Sequence, residues 1–506
     1  MAIIFLRSES ISRFEVLSFA VVLGVFYITF FLLRCLLLSP LRHVPGPFWA
    51  CLSKWPMVIH GLKGRRVYEL EQLHRKYGSI VRTGPNEVSV TDWNHIRTIY
   101  CNPKTILKDP SFYDGVTMIG KHNIFQMTNP SEHAARRKLS SPPYALNSIA
   151  RLDPLIQKNA DTLVHRLIVE AGSSTSGTVD AYRLCALFSL ETICKAAFAK
   201  DFDGIDGMGA SLELLRAMDG SALVFLPQSL FPFLGSTGLG TKLPGFIGNA
   251  YRSHQIWEQL SRNMVDHFLE KSSADNKYLL SPVATGMDAF LGRRLNHEEL
   301  IEEAMGYMFA GSGTTSSTLT YLLYALSLPE NLNVQERLRD TIKTIPADNV
   351  TAMRQDPYLN AVIKETFRLF PTIVSTLPRI LLEPLQLGEY SLPKGTIVGM
   401  QNWLHHRDPI IFPNPDQFLP ERWVLPNSVS HAQAMEGSLT PFSVGRRNCI
   451  GQNLAWEELY IAVSAIMRAG LKLSIGLEMQ PWEMEIEDRF NITPRGHRLM
   501  LHITRD

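Results

Sequence analysis

One cysteine in this chain sits among residue types that suit it to metal chemistry. Residues 442–451 read Phe442-Ser-Val-Gly445-Arg446-Arg447-Asn448-Cys449-Ile450-Gly451, and a helix-like run follows from Leu454. Glycines at 445 and 451 permit a tight loop and the close approach of a flat ligand. Cys449 then lies just before a helix N-terminus, where backbone amides and the nearby Arg447 favour a thiolate. Such a sulfur ligates a soft or borderline metal. With no companion Cys or His nearby, it suits a prosthetic group that brings its other ligands, of which haem is the natural candidate. The plainer reading of a lone cysteine is a buried structural thiol.

The same ten residues resemble the F-x-x-G-x-R-x-C-x-G signature of cytochromes P450, matched at every fixed position. The resemblance implies that Cys449 is the proximal haem ligand, that Phe442 packs near it, and that Arg447 pairs with a propionate. Three further segments match in the family's order. Ala310-Gly311-Ser312-Gly313-Thr314-Thr315 is similar to the oxygen-activation motif, in which small residues let the helix pass close over the haem and the Thr314 hydroxyl holds water or dioxygen. Otherwise these hydroxyls bond back to helix carbonyls. Gly313 departs from the pattern, because an acid usually stands there; the departure puts the usual proton route in doubt. Glu365-Thr-Phe-Arg368 shares one helical face and could be an ordinary surface pair of little worth. In the family it joins the arginine of a Pro-Glu-Arg segment, here Arg422, in a network bracing the cysteine loop. His133 and Arg137, four apart, resemble the propionate-binding helix, as Arg379 resembles a further propionate arginine; the alternative is a solvated basic cluster.

These residues need a scaffold, and its pattern is mainly helical with minor strands; the resemblance implies one large haem domain of the cytochrome P450 fold behind an N-terminal membrane helix. Helical periodicity covers residues 67–77, 131–139, 153–171, 251–271 and 455–469, and short strand-like runs cover 79–82 and 87–90. A long helix is predicted from Asn296, with Glu299 completing a capping signature, to Leu328 before Pro329. It carries no charge from Ala304 onward, yet its small polar middle suits burial in protein better than contact with lipid. Gly235 to Lys242 superficially resembles a phosphate loop but has Thr241 where lysine is required, so a plain loop is expected.

Residues 1–15 form a short N-terminal segment, 16–38 a transmembrane anchor, 39–65 a proline-containing hinge around Pro45-Gly46-Pro47, and 66–506 the haem domain. The uncharged run from Val16 to Leu33 is long enough to span a bilayer and lacks the small-residue cleavage site of a secretory signal. Charges before it cancel, whereas Arg34, Arg42, Lys54, Lys63, Arg65 and Arg66 follow it, placing the body in the cytosol. Asn349-Val-Thr and Asn491-Ile-Thr are then chance glycosylation patterns. Fifty basic against 48 acidic residues leave +2, so composition points to no nucleic-acid partner. The six scattered cysteines form no zinc-like cluster or disulfide framework.

Together these features predict a single-pass protein of the endoplasmic reticulum. It would insert one oxygen atom from O2 into a lipophilic small molecule by hydroxylation or epoxidation, in secondary metabolism. The resemblance implies haem b and electrons from NADPH through NADPH-cytochrome P450 reductase, with cytochrome b5 as an accessory partner; no Rossmann fingerprint is present. A reductase-independent peroxygenase, isomerase or dehydratase, and a non-catalytic haem sensor, are the competing readings.

Overall fold

Two helices of this chain that carry long charge-free stretches meet opposite fates. The protein, a computed structural model, is described over residues 13–202, 208–271, 277–374, 376–425 and 428–505. Most of the N-terminal segment, and Ser375 of the stretch 373–377 that the resemblance to cytochromes P450 would place at the substrate pocket, lie outside these residues. The helices that matter for the site are α1 (Arg13–Leu37), α2 (Trp55–Leu62), α3 (Arg66–Tyr77), α4 (Pro130–Ser140), α5 (Asp153–Ser173), α6 (Ala181–Phe198), α7 (Met208–Ser221), α8 (Gly245–Lys271), α9 (His297–Ser327), α10 (Leu332–Thr344), α11 (Pro357–Leu369) and α12 (Gln452–Arg468). In α1, Leu17–Leu37 is apolar and none of it is buried; among the described residues it alone is long and apolar enough to cross a membrane. The long central helix α9 is buried along most of its length, as its small polar middle requires. Its start is fixed by the expected capping box, Asn296 Oδ1 accepting from the Glu299 amide at 2.9 Å and the Glu299 carboxylate accepting from the Asn296 amide at 2.8 Å.

The core forms around α6, α9 and α12. α6 is apolar on nearly every face and is buried to match, packing most extensively against α9. α12 lies against α5, and α7 against α8. The mainly helical class with minor strands is as expected.

Strands are short: β1 (Ile80–Gly84), β2 (Glu87–Val90), β3 (Ile106–Lys108), β4 (Thr178–Asp180), β5 (Arg379–Leu381), β6 (Leu385–Leu387), β7 (Tyr390–Leu392), β8 (Ile397–Met400), β9 (Leu471–Ile475), β10 (Ile486–Arg489), β11 (Asn491–Pro494) and β12 (Met500–Arg505). The largest sheet runs β1-β2-β8-β5-β3, and its β3–β5 register sets Lys108 directly opposite Arg379. β10 and β11 form a hairpin whose tip is Phe490.

Two sequence expectations need correction. Residues 39–65, read as a hinge, are folded onto the body. Leu41 and Val44 are buried beside Ile80 and Val88, and Met57 beside Leu70 and Val81. Pro45 accepts a hydrogen bond from the Arg82 amide at 2.7 Å, and a Cβ at Gly46 would stand 2.5 Å from the Arg82 carbonyl, so the glycine is needed for close packing there. The stretch 235–242, expected as a plain loop, falls on two short helical turns, Phe233–Ser236 and Leu239–Lys242.

Candidate active site

The cysteine loop bends back on itself before α12. Cys449 donates its amide to the Phe442 carbonyl at 2.9 Å, and the bend passes through left-handed residues Ser443 (φ 58°) and Gly445 (φ 74°). Glycine is required at 445 on a second count: a Cβ there would lie 2.9 Å from Cys101 Sγ and 3.0 Å from the Tyr100 carbonyl. Phe442 stands edge-on to Phe367 at 5.2 Å, which fixes the ring beneath the loop. Cys449 is exposed, but to an internal cavity of about 650 Å³ rather than to bulk solvent. Burial raises its thiol pKa, opposed by the Gly451 amide and the positive charge of Arg137. The cation acting on the sulfur is therefore Arg137, not the expected Arg447. Arg137 binds Asn448 through its carbonyl at 2.6 Å and its Oδ1 at 3.0 Å, whereas Arg447 donates to the Met127 carbonyl at 2.7 Å.

α4 carries Arg137 because Asn129 caps it, accepting from the Ser131 amide at 2.9 Å, with Pro130 in its first turn. Arg136, one residue earlier, is buried in ion pairs with Asp288 at 2.8 Å and with Glu303, tying α4 to α9. His133, Arg137 and Arg447 all line the cavity, joined by Lys108, which the sequence did not single out. Arg379 stands behind that wall, donating to Tyr113 Oη at 3.0 Å and to the carbonyls of Leu377 and Pro378.

Electrostatically this wall is one-sided. Lys108 is buried, contacts the Phe125 carbonyl, and sits over the rings of Tyr113 at 4.1 Å and Phe125 at 4.3 Å. Burial holds its pKa well below the usual lysine value, and Arg379 and Arg447 lower it further. Burial and the charges of Arg447, Lys108 and Arg137 bring His133 down to about 3. Like charges directly opposite across a ladder, as at Lys108 and Arg379, are destabilising, so a cationic wall of this kind calls for an anionic ligand. A flat group bearing two carboxylates, with a metal above Cys449, meets that demand. Among the described residues no cluster of three or more His, Cys, Asp or Glu side chains could hold a bare ion.

The loop is braced from below. Arg368 grips Glu365 at two points (2.8 and 3.0 Å), and both are wholly buried. Glu365 also accepts from Arg422 Nε at 3.1 Å, the Leu419 amide at 2.9 Å and Trp423 Nε1 at 2.9 Å. The remaining Arg368 donors hold the carbonyls of His406, Pro415 and Gln417. His406 Nε2 in turn accepts the Thr440 amide at 3.0 Å, two residues before Phe442. A continuous chain of hydrogen bonds thus leads from α11 to the cysteine loop. The Trp423 indole is a member that the Glu-Arg pairing alone did not reveal.

Across the cavity, α9 presents Ala310, Gly311 and Thr314. The glycines serve neighbouring elements rather than the cavity alone. A Cβ on Gly311 would stand 2.6 Å from Ile193 of α6, and one on Gly313 would stand 2.6 Å from Asn491 Nδ2. Gly313 does not line the large cavity; it lines a smaller one on another side of α9. Thr314 donates to the Ala310 carbonyl at 2.7 Å, the plainer of its two expected roles. Beside it, Glu458 of α12 is wholly buried, receives Ser189 Oγ at 3.4 Å, and has its carboxyl pushed well up by burial. The outer wall is aromatic, including Phe112, Phe125, Phe225 and Phe309. Phe490, missed from the sequence, closes it at φ 82°, 5.6 Å from Phe125 and 6.2 Å from Phe309.

Comparison with known proteins agrees with this geometry. The sequence model described as Cytochrome P450 matches residues 45–494. The cytochrome P450 monooxygenase orf2 of Aspergillus niger is 28% identical over 482 residues, covering 92% of this chain and 93% of its own. N-acetyltryptophan 6-hydroxylase ivoC of Emericella nidulans is 28% identical, covering 92% of each. The crystal structure of the cytochrome P450DA heme domain superposes with a TM-score of 0.74 at 18% identity, covering 92% of this chain and 98% of that one. The chain accordingly belongs to the cytochrome P450 family, the monooxygenases built around haem iron.

Proposed function

We propose that this protein is a membrane-anchored monooxygenase in which the Cys449 thiolate would hold the iron of haem b, acting on an apolar small molecule in secondary metabolism. The observation that carries this reading is the cavity itself: one thiol, that of Cys449, faces it, and a basic wall of Arg137, Lys108 and Arg447, with His133 beside them, stands at its edge. Bound there, haem supplies the site at which dioxygen is activated. The protein's residues provide the rest. Arg137, Lys108 and Arg447, supported by Arg379 behind them, hold the two carboxylates; the Glu365, Arg368 and Arg422 network keeps the cysteine loop at its depth; the phenylalanine wall excludes water and positions an apolar substrate for hydroxylation or epoxidation. Thr314 holds a proton donor on the cavity side of α9. Electrons come from NADPH through a cytochrome P450 reductase, with cytochrome b5 able to assist, on the cytosolic face of the endoplasmic reticulum.

The test is the reduced, carbon monoxide-bound spectrum of the detergent-purified full chain. A long-wavelength Soret band that is lost in Cys449→Ser is expected; its absence in folded, haem-loaded native protein would overturn the assignment. Turnover is expected to require both NADPH and reductase. Product formed without either would favour the peroxygenase, isomerase or dehydratase reading, which Gly313 keeps in view. Thr314→Ala is expected to divert NADPH electrons to hydrogen peroxide, measured as peroxide formed per NADPH.

A further inference from the structure

The place where α9 lacks an acid is neither open nor isolated. Asn491 fills the space beside Gly313, and the smaller cavity there, about 70 Å³, is bounded by α6, α7, α9 and the β10–β11 hairpin. At roughly 30 Å³ per water it has room for about two. Thr493 Oγ1 on its wall is buried without a hydrogen-bond partner, as a hydroxyl facing cavity water would be. Ala222, Phe309, Arg489 and Asn491 line both this cavity and the large one, so these side chains form the partition between them.

One carboxylic acid faces the small cavity. Asp219 of α7 lines this cavity, and as a whole residue it is exposed. Its charged and titratable neighbours come from three directions. Arg489 and His497 favour its anion, Tyr182 of α6 lies close enough to feel its charge, and Asp180 acts on that same tyrosine. Glu487 holds both cations, Arg489 at 3.0 Å and His497 at 3.2 Å. Burial outweighs the cations and brings the Asp219 carboxyl up to about 6, where it both gives and takes protons near neutrality. The His497 side chain is 46% exposed and lines the same cavity, which connects it to solvent.

We propose that Asp219 is the proton-relay acid of this enzyme, supplying from α7 the carboxyl group that α9 lacks at 313, with water in the small cavity carrying the proton past Asn491 to the Thr314 side. The proposal rests on the haem-thiolate reading above. In the relay, the Asp219 O–H bond breaks as a cavity water gains the proton and passes one of its own towards Thr314. The carboxylate is then reprotonated from solvent by way of His497. No electron moves, and each O–H bond broken is matched by one formed. Asp219 acts through water and Thr314 rather than on the substrate.

The experiment compares native full chain, Asp219→Asn, Asp219→Glu and Glu458→Gln, each purified in detergent and reconstituted with reductase. Asp219→Asn is expected to keep the thiolate Soret band, to lower product formation about 100-fold, the low end of general-acid effects, and to raise peroxide per NADPH. Native coupling should fall as pH rises through and above about 6, and Asp219→Asn should lose that inflection. Independently of turnover, infrared difference titration of the resting protein should show a carboxylic-acid band near that pH, absent from Asp219→Asn. Asp219→Glu should recover most of the coupling. The relay is overturned if Asp219→Asn couples normally, if Asp219→Glu is as impaired as Asp219→Asn, or if Glu458→Gln alone uncouples. A missing Soret band in the native protein would instead remove the haem-thiolate reading beneath it.

Discussion

Lys108 is a buried amine whose charged form is opposed by burial and by Arg379 and Arg447, a costly arrangement unless an anion joins it. Lys108→Met should therefore have opposite effects on the two forms of the protein. The haem-free chain, relieved of the repulsion from Arg379 and Arg447, should gain stability. The haem-loaded protein should lose one charge-assisted hydrogen bond of about 1.5–3 kcal/mol, making haem transfer to an acceptor protein roughly 10- to 100-fold faster. Equal haem retention in variant and native protein would show that Lys108 does not reach the carboxylates. This residue was hidden in the sequence because Ile-Leu-Lys is an unremarkable strand; its meaning comes from pairing with Arg379, far along the chain. Cys449, by contrast, was legible because the residues that mark its loop lie within ten positions, although Tyr100, Cys101, Arg137 and Phe367, which hold the loop, lie far along the chain. Gly311 and Gly313 were half legible. Their smallness was plain, but its cause, Ile193 on one side and Asn491 on another, depends on tertiary packing.

At the scale of elements, the bracing beneath the cysteine loop should fail as a unit. Glu365→Gln leaves Arg368 and Arg422 buried without their carboxylate. Breaking such a pair costs about 3–5 kcal/mol, so a lower denaturant midpoint and a smaller haem-loaded fraction are expected. A midpoint within error of native would mean that the segment 413–423 holds without it. The adjoining histidines give a pH signature. Burial brings His405 down to about 3, and His406 well below its ordinary value. Below pH 6.5 the unfolded chain binds protons that the folded chain refuses. Stability is therefore present at neutral pH and is lost as pH falls, by about 1.4 kcal/mol per pH unit for each histidine. For His405 the loss continues to about pH 3. Denaturant midpoints at pH 7 and 5 measure this, and His405→Asn should reduce the difference; an unchanged difference would exclude His405 as a source. The central helix α9 was readable because its start is written locally, in Asn296 with Glu299. The segment 39–65 was misread because two prolines around a glycine look the same in a hinge and in a strand-hugging turn.

For the whole molecule, the anchor and the body should separate cleanly. None of the apolar stretch Leu17–Leu37 of α1 is buried, whereas Leu41 and Val44 are already packed. A chain lacking residues 1–38 should leave the membrane fraction after alkaline carbonate extraction and keep its carbon monoxide spectrum. Loss of that spectrum in soluble, folded protein would show that α1 supports the haem domain as well as tethering it.

The hairpin tip adds a mechanical consequence. Arg489, Phe490 and Asn491 are consecutive: the middle residue closes the aromatic chamber, and its two neighbours form part of the partition with the wet compartment behind α9. Phe490 holds a left-handed backbone that a bulky residue adopts only under the pressure of its surroundings. Any movement of that backbone shifts all three side chains together, so the size of the guest at the tip and the tightness of the seal at its base are set by one displacement.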